Sequence, residues 1–335
     1  MKVKTVFCIM LAVFVVFCFC NLLPSLVVVK QRQQPVYRGV IDLWHVETFE
    51  GGSGNRGKWL TTAVRQLESK HKGLYVQVTT YTYQQMLDKL SNGDTFDVIS
   101  FASGVGNALL PYIVPIGVAT QSLLDNFVEA GQINNVQYAL PYSVGFYALF
   151  TRQSHLNKLG VQSPVDTLHL QLSVKIGKNS VKLKPLGCGF GTFNNPLQAL
   201  DGVAVVDGEF TQYQAYEKFV GGKSFVTLLG TQRDVYRLSN RVDQGKIEQI
   251  SCCVAGVYND LAQYLAVSRF AQEKTEFCKQ LIALITSDLV QQSLVNIQML
   301  SPTDLNLYAD GWMSLGEQSL DQYVVPNAFK DSVSG

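Results

Sequence analysis

The sequence predicts an α/β protein of two lobes, and three observations lead there. The chain has 335 residues, long for one core and comfortable for two. Hydrophobic residues make up 47% and charged residues 16%, the balance of a packed globular body rather than a disordered chain. From residue 39 onward, short apolar runs alternate with segments of helical periodicity, the order that builds helix-covered sheets.

The first thirty residues are of another kind. Met1 to Lys4 carries positive charge, and Val6 to Cys20 is an unbroken apolar run, the pattern of a secretory signal. The uncharged stretch continues to Val29, long enough to cross a hydrocarbon core of ~30 Å, although Asn21 and Pro24 interrupt it. Three readings stand: an uncleaved membrane anchor over residues 1–30, a lipoprotein modified at Cys20, or a cleaved signal. Each puts the body outside the cytoplasm, and the expected location is the extracellular face of the membrane, tethered by this segment.

The element pattern then runs in order. Gly39 to Trp44 reads as a buried strand followed by a Gly-rich loop, and Trp59, Leu60, Ala63, Val64 and Leu67 share one helical face. Leu74 to Thr80 is β-rich, Tyr83 to Leu90 is helical with Gly93 just past its end, and Phe96 to Phe101 is a short apolar strand. Such a βαβαβ run implies a parallel sheet with a crevice at the carboxyl ends of its strands. The loops Trp44 to Gly54 and Ser100 to Gly106 should border that crevice. A second block begins near Pro141. Its elements are a strand over Phe146–Arg152, a hairpin over Gln171–Leu186, a helix over Thr211–Val220, a strand over Ser224–Leu229 and a helix opening at Thr231. Tyr264 to Ser268 resembles a strand returning to the first lobe. Two amphipathic helices follow, one carrying Phe277, Leu281 and Leu284, the other Leu289, Leu294 and Ile297. The expected organisation is lobe 1 at 31–140 with 256–300 returning to it, lobe 2 at 141–255, and a C-terminal extension at 301–335. The chain should cross between lobes near 138–145 and 252–262.

Several segments carry a likeness in the right order: "IDLWHVETFEGGSG", "FDVISFASG", "LPYSVGFYALFTR", "KSFVTLLGTQRDVYRL" and "CKQLIALITSDLVQQSLVNIQMLSP". Together, over residues 39 to 302, the chain resembles the bacterial family 1 extracellular solute-binding proteins, the sugar-type periplasmic binding proteins of ABC importers. The sequence departs from the family pattern at Phe96, where Pro is usual, at Asp288, where Glu is usual, and at Gln298, where Gly is common. A hairpin at 171–186 also stands where the family has a helical subdomain. The resemblance implies a periplasmic-binding-protein type II fold, two α/β lobes around a ligand cleft joined by a hinge. It implies capture of a small solute of the carbohydrate class for the permease subunits of an ABC importer, with no catalytic centre. A membrane-anchored ligand sensor or scaffold on the same fold is the alternative.

The residues carry their own evidence. Formal net charge is +1, and without Lys2 and Lys4 the balance is 25 basic to 26 acidic residues, which argues against nucleic acid and favours a neutral or weakly charged ligand. Aromatic rings suit the apolar faces of sugars, and Trp44, Phe49, Phe101, Tyr142 and Tyr258 lie in segments expected at the cleft; core packing is the competing reading for each. Glu47, Glu50, Ser53 and Ser103 are polar candidates from the two loops. Arg233, in the first turn of its helix, either contacts the ligand or pairs with Asp234 or Asp243. Gly52 to Lys58 matches the spacing of a phosphate-binding loop, but Trp59 stands where Mg²⁺ needs a hydroxyl. The segment then reads as a donor-exposing loop at a helix start or as a plain turn. Glu47, Glu50 and Asp97 do not by spacing make a hydrolytic pair. Cys188, Cys252, Cys253 and Cys278 lack C-x-x-C spacing, and His45, His71, His155 and His169 are scattered, so buried free thiols are expected and no metal or cofactor.

Overall fold

The first and third strands of the chain lie side by side in parallel, Leu43 opposite Val98 and His45 opposite Ser100, and this pairing founds the first sheet. The structure, a computed structural model, describes residues 38–49, 51–118, 122–168, 172–176, 179–190, 193–200, 207–222 and 224–330. Expectations on segment 1–37 and on Glu50 fall outside the described residues. Residues 40–335 form one unit; of the other, Met1–Gly39, only Arg38 and Gly39 are described.

In chain order the first block comprises β1 (Gly39–Glu47), α1 (Arg56–Lys70), β2 (Leu74–Thr82), α2 (Tyr83–Ser91), β3 (Val98–Ala102), α3 (Gly106–Leu109), β4 (Ile113–Val114), α4 (Asp125–Ala130), the small hairpin β5 (Gln132–Ile133) and β6 (Val136–Gln137), and β7 (Ala139–Val144). The second comprises β8 (Tyr147–Arg152), α5 (Gln153–Leu159), β9 (Leu172–Ile176), β10 (Asn179–Phe190), β11 (Asp207–Thr211), α6 (Gln212–Gly221), β12 (Phe225–Thr231), α7 (Gln232–Asp243) and β13 (Ile250–Val254). The chain ends with β14 (Ala262–Ser268), α8 (Thr275–Ile285), α9 (Asp288–Gln291) and α10 (Gly311–Glu317).

Local chemistry explains the element boundaries. Asn55 caps α1 by accepting the Lys58 N–H at 2.9 Å, and α1 buries the five apolar residues of its periodic face. Thr82 and Gln85 form a reciprocal capping box that starts α2, and Thr211 and Gln214 do the same for α6. All seven residues of β14 are buried, which suits a strand enclosed on both faces.

The first sheet has the order β2-β1-β3-β14-β4, with β7 also pairing β14. The return strand is therefore central, and it runs antiparallel to β3, with Tyr264 opposite Phe101. The second sheet has the order β11-β10-β12-β8-β13, and β9 pairs with β10 as the expected hairpin. Each sheet carries its own helices, and the buried apolar residues of both, from Trp44 and Phe101 to Phe150 and Phe225, join in one continuous core.

Some boundaries differ from expectation. The second block begins later than Pro141, because Ala139, Leu140 and Pro141 pair with Ala266, Leu265 and Tyr264 in the first sheet. Gly145 and Phe146 alone carry the chain to β8, and residues 255–261 bring it back. Residues 301–330 pack into the body: Phe329 meets Phe101 at 5.8 Å, Trp312 meets Phe150 at 5.8 Å, and Val324 bridges to Tyr258. The last expected helix is a short α-turn continued as a 3₁₀ segment, Gln292–Ile297. Leu289, expected inside, is 68% exposed, and Val290 is buried in its stead. Cys188 and Cys278 are buried free thiols as expected, whereas Cys252 and Cys253 are half-buried.

Candidate functional site

A cleft of about 350 Å³ opens between the two blocks. One wall is the end of β1 and the loop after it: Glu47, Gly51, Gly52, Ser53, Gly54 and Asn55. The other is the start of α7: Arg233, Tyr236 and Arg237. The glycines let the loop lie flat. A Cβ on Gly52 would run into the backbone of Gln298, and one on Gly54 would meet the Ile297 side chain at 2.6 Å. The Ser53 N–H donates to the Ile297 carbonyl at 3.0 Å. The Ser53 and Lys58 amides are thus engaged within the protein, and Trp59 stands where a phosphate-binding loop needs a hydroxyl.

Beneath the loop lies a buried polar network. Arg56 donates to Gln263 Oε1 at 3.1 Å and to the Phe49 carbonyl, and its guanidinium sits 4.0 Å above the Phe49 ring. Gln263 Nε2 donates to Ser100 Oγ at 3.1 Å, and Ser100 Oγ also bonds His45 Nδ1 (2.9 Å) and Tyr142 Oη (2.8 Å). Burial, helped by the charge of Arg56, lowers the His45 pKa to about 3, so the ring is neutral. Burial pushes Tyr142 up to about 12.

On the opposite wall Arg233 is ion-paired. Its Nε and Nη2 donate to Asp234 Oδ1 at 3.1 and 2.8 Å, so Asp234 is a partner, and the residue also lines the cleft. Burial raises the Asp234 pKa, opposed by Arg233 and by the Thr231 N–H that donates to its second oxygen.

Three of the expected site residues thus meet at the cleft: Glu47, Ser53 and Arg233. Five do not line it. Trp44 is 6% exposed, held in the core between Tyr81 and Phe96 at ring distances of 5.1 and 5.3 Å. Phe101 is buried against Tyr264 and Phe329. Tyr142 is 0% exposed and stacked on Trp59 at 5.8 Å. Ser103 is buried, and the Tyr258 hydroxyl donates to Asp260 Oδ2 at 3.2 Å in the returning segment. Phe49, the remaining aromatic candidate, lies under Arg56. The alternation of a strand explains the failures: Trp44 and Phe101 point into the layer beneath the cleft, and a loop position in sequence does not say which face its neighbours cover. Asp97 also lies elsewhere. It accepts the Asp42 N–H at 2.9 Å and pairs with Lys274 at 2.7 Å, a structural carboxylate and no partner for Glu47.

Tyr236 and Arg237 escaped sequence reading. Their spacing from Arg233, three and four residues on, puts all three on one helix face opposite the buried Val235 and Leu238, and that pattern was there to be found. Among the described residues no cluster of His, Cys, Asp and Glu could hold a metal.

No family model matches the sequence, and no curated protein matches it. Solved structures do. The sugar-binding protein MalE from Xanthomonas citri superposes with a TM-score of 0.61 at 11% identity, covering 86% of this chain and 87% of its own. An extracellular solute-binding protein from Staphylococcus aureus in complex with maltose gives 0.59 at 14%, covering 87% and 88%. Thiaminase I from Bacillus thiaminolyticus gives 0.57 at 12%, covering 86% and 93%. At such identities the likeness concerns the fold, and it agrees with the central antiparallel return strand and the double chain crossing: the protein has the periplasmic-binding-protein type II fold, two α/β lobes on either side of a cleft.

Proposed function

We propose that the protein captures a carbohydrate in this cleft and delivers it to the permease subunits of an ABC importer, working at the extracellular face of a membrane to which residues 1–30 tether it. The single observation that carries this reading is the cleft, with Glu47 and a polar backbone loop on one wall and Arg233, Tyr236 and Arg237 on the other. Sugar hydroxyls both donate and accept, so they can bridge a carboxylate and guanidiniums at once, and the half-exposed Tyr236 ring offers a stacking face. Solved neighbours on this fold are described with maltose and with mannotriose bound, which supports the ligand class. Among the described residues no helix is long and apolar enough to cross a membrane, so the tether rests on the sequence of the first thirty.

Glu47 on one wall faces Arg237 and the Asp234-paired Arg233 on the other, so polar groups of both kinds are presented to a ligand. Turnover is not part of this reading: a hydrolytic pair needs two carboxylates within roughly 5–9 Å, and Glu47 is the one carboxylate among the lining residues described. Calorimetric titration with maltose, mannotriose and glucose tests the proposal. At least one should bind, and Tyr236→Ala should weaken it by about 1–3 kcal/mol, the scale of other aromatic stacking platforms. Folded protein that gives no heat with any sugar would overturn carbohydrate capture.

A further inference from the structure

Helix α7 supplies one wall of the cleft, and its first residue is buried against the first chain crossing. Gln232 is 0% exposed, and its Oε1 accepts the Phe146 N–H at 3.3 Å. Gly145 lies against the same carboxamide, and a Cβ added there would run into Gln232 Oε1. The φ of Gly145 is not positive, so glycine serves here for space and not for backbone freedom.

The second crossing holds the same glycine from its backbone. The Gly145 N–H donates to the Leu261 carbonyl at 2.6 Å, and Asn259 Nδ2 donates to the Gly145 carbonyl at 2.8 Å. Asn259 and Leu261 are both 0% exposed. Both crossings and the first turn of the cleft-wall helix therefore meet at one residue. Close-packed interiors do not absorb displacement smoothly, so a push on one member of such a junction is passed to the others.

We infer that Gln232 is a positioning residue that couples the cleft to the crossing segments. A solute that moves Arg233, Tyr236 and Arg237 moves the turn they share with Gln232, and the carboxamide passes that motion to Gly145. This inference rests on the solute-capture reading and names the part that would set the balance between open and closed lobes. The linkage works both ways, so altering the junction also shifts lobe separation with the cleft empty.

The experiment uses the full chain with spin labels on unnatural amino acids at the exposed Lys70 and Lys158, one in each lobe. Pulsed electron resonance then reads the lobe-to-lobe distance without touching the native cysteines. Without sugar, Gln232→Ala should broaden the distance distribution and Gly145→Ala should shift its mean. The double variant removes the collision and should lie nearer wild type than Gly145→Ala does. Lower melting temperatures with distributions that overlay wild type would mean a merely structural role and overturn the coupling. Should Gly145→Ala fail to fold, Gln232→Ala and Gln232→Met, which keeps the bulk but not the acceptor, decide by the same criterion. The two failures are separate. A wild-type distance that neither maltose nor mannotriose shortens counts against solute capture, whereas the sugar-free distributions judge Gln232.

Discussion

Trp44 illustrates how a residue can carry the right chemistry in the wrong place. Its ring suits a sugar face, but in β1 it points into the layer that packs on Tyr81 and Phe96. Trp44→Ala should therefore cost about 3–5 kcal/mol of stability through the cavity it leaves. Sugar affinity of the fraction that stays folded should be unchanged. Urea unfolding beside calorimetry separates the two effects, and lost affinity at unaltered stability would restore Trp44 to the site. Tyr236 is the converse case, a ring on a helix surface that hydrophobic patterning alone would pass over. Single residues were legible as types; which side of the backbone they face was not.

At the scale of elements the sequence was more informative. The apolar periodicity of α1 and the β-rich runs of β2, β8 and β12 reappear within a few residues of their expected bounds. Helix starts had a chemical signature as well, a Thr followed three residues later by Gln, at Thr82 and Thr211. The 3₁₀ segment ends on Gln298, whose φ of 52° is left-handed, at the position where the resembling family commonly has Gly. A side chain there strains the backbone, and glycine relieves that strain at the cost of a more disordered unfolded state. Gln298→Gly should raise unfolding free energy by about 0.5–1 kcal/mol, read as a higher urea midpoint with an unchanged slope. The Gly52 loop, which packs on the backbone of this residue, should be unaffected. A lower midpoint would mean that the side chain of Gln298, bonded to the Val295 carbonyl at 3.2 Å, matters more than the strain.

For the whole molecule, the buried titratable groups oppose one another. His45, with a folded pKa of about 3 against an ordinary 6.5, binds its proton more readily when unfolded. Stability therefore falls as pH drops below about 6.5, by up to about 1.4 kcal/mol per unit until the folded pKa is reached. His155 is lowered too, by burial first and then by Arg152, and adds to the same slope. Asp234 and Asp260 act in the other sense. Burial raises both, so the folded state holds their protons more tightly and part of the cost of burying them disappears as pH falls through their raised values. The expected profile is a decline in urea midpoint as pH falls below about 6.5, shallower than the histidines alone would give because the two carboxyls oppose it. His45→Asn keeps a partner for Ser100 and should reduce the decline; an unaltered slope in that variant would assign it to other groups.

Composition and the rhythm of strands and helices determined the α/β class, because burial of apolar faces is periodic and periodicity is written locally; the two-lobed arrangement with a returning strand was what the ordered family-like motifs implied. They also marked Glu47, Ser53 and Arg233, which lie in segments that end at the carboxyl edge of a sheet or the start of a helix. Only the tertiary structure decided that Trp44, Phe101 and Tyr142 are core, that the crossing falls at Gly145, and that residues 301–330 bind both sheets together. Those outcomes depend on which distant surfaces meet, as Phe329 meets Phe101 and Asn259 meets Gly145, and no local pattern records a partner more than a hundred residues away.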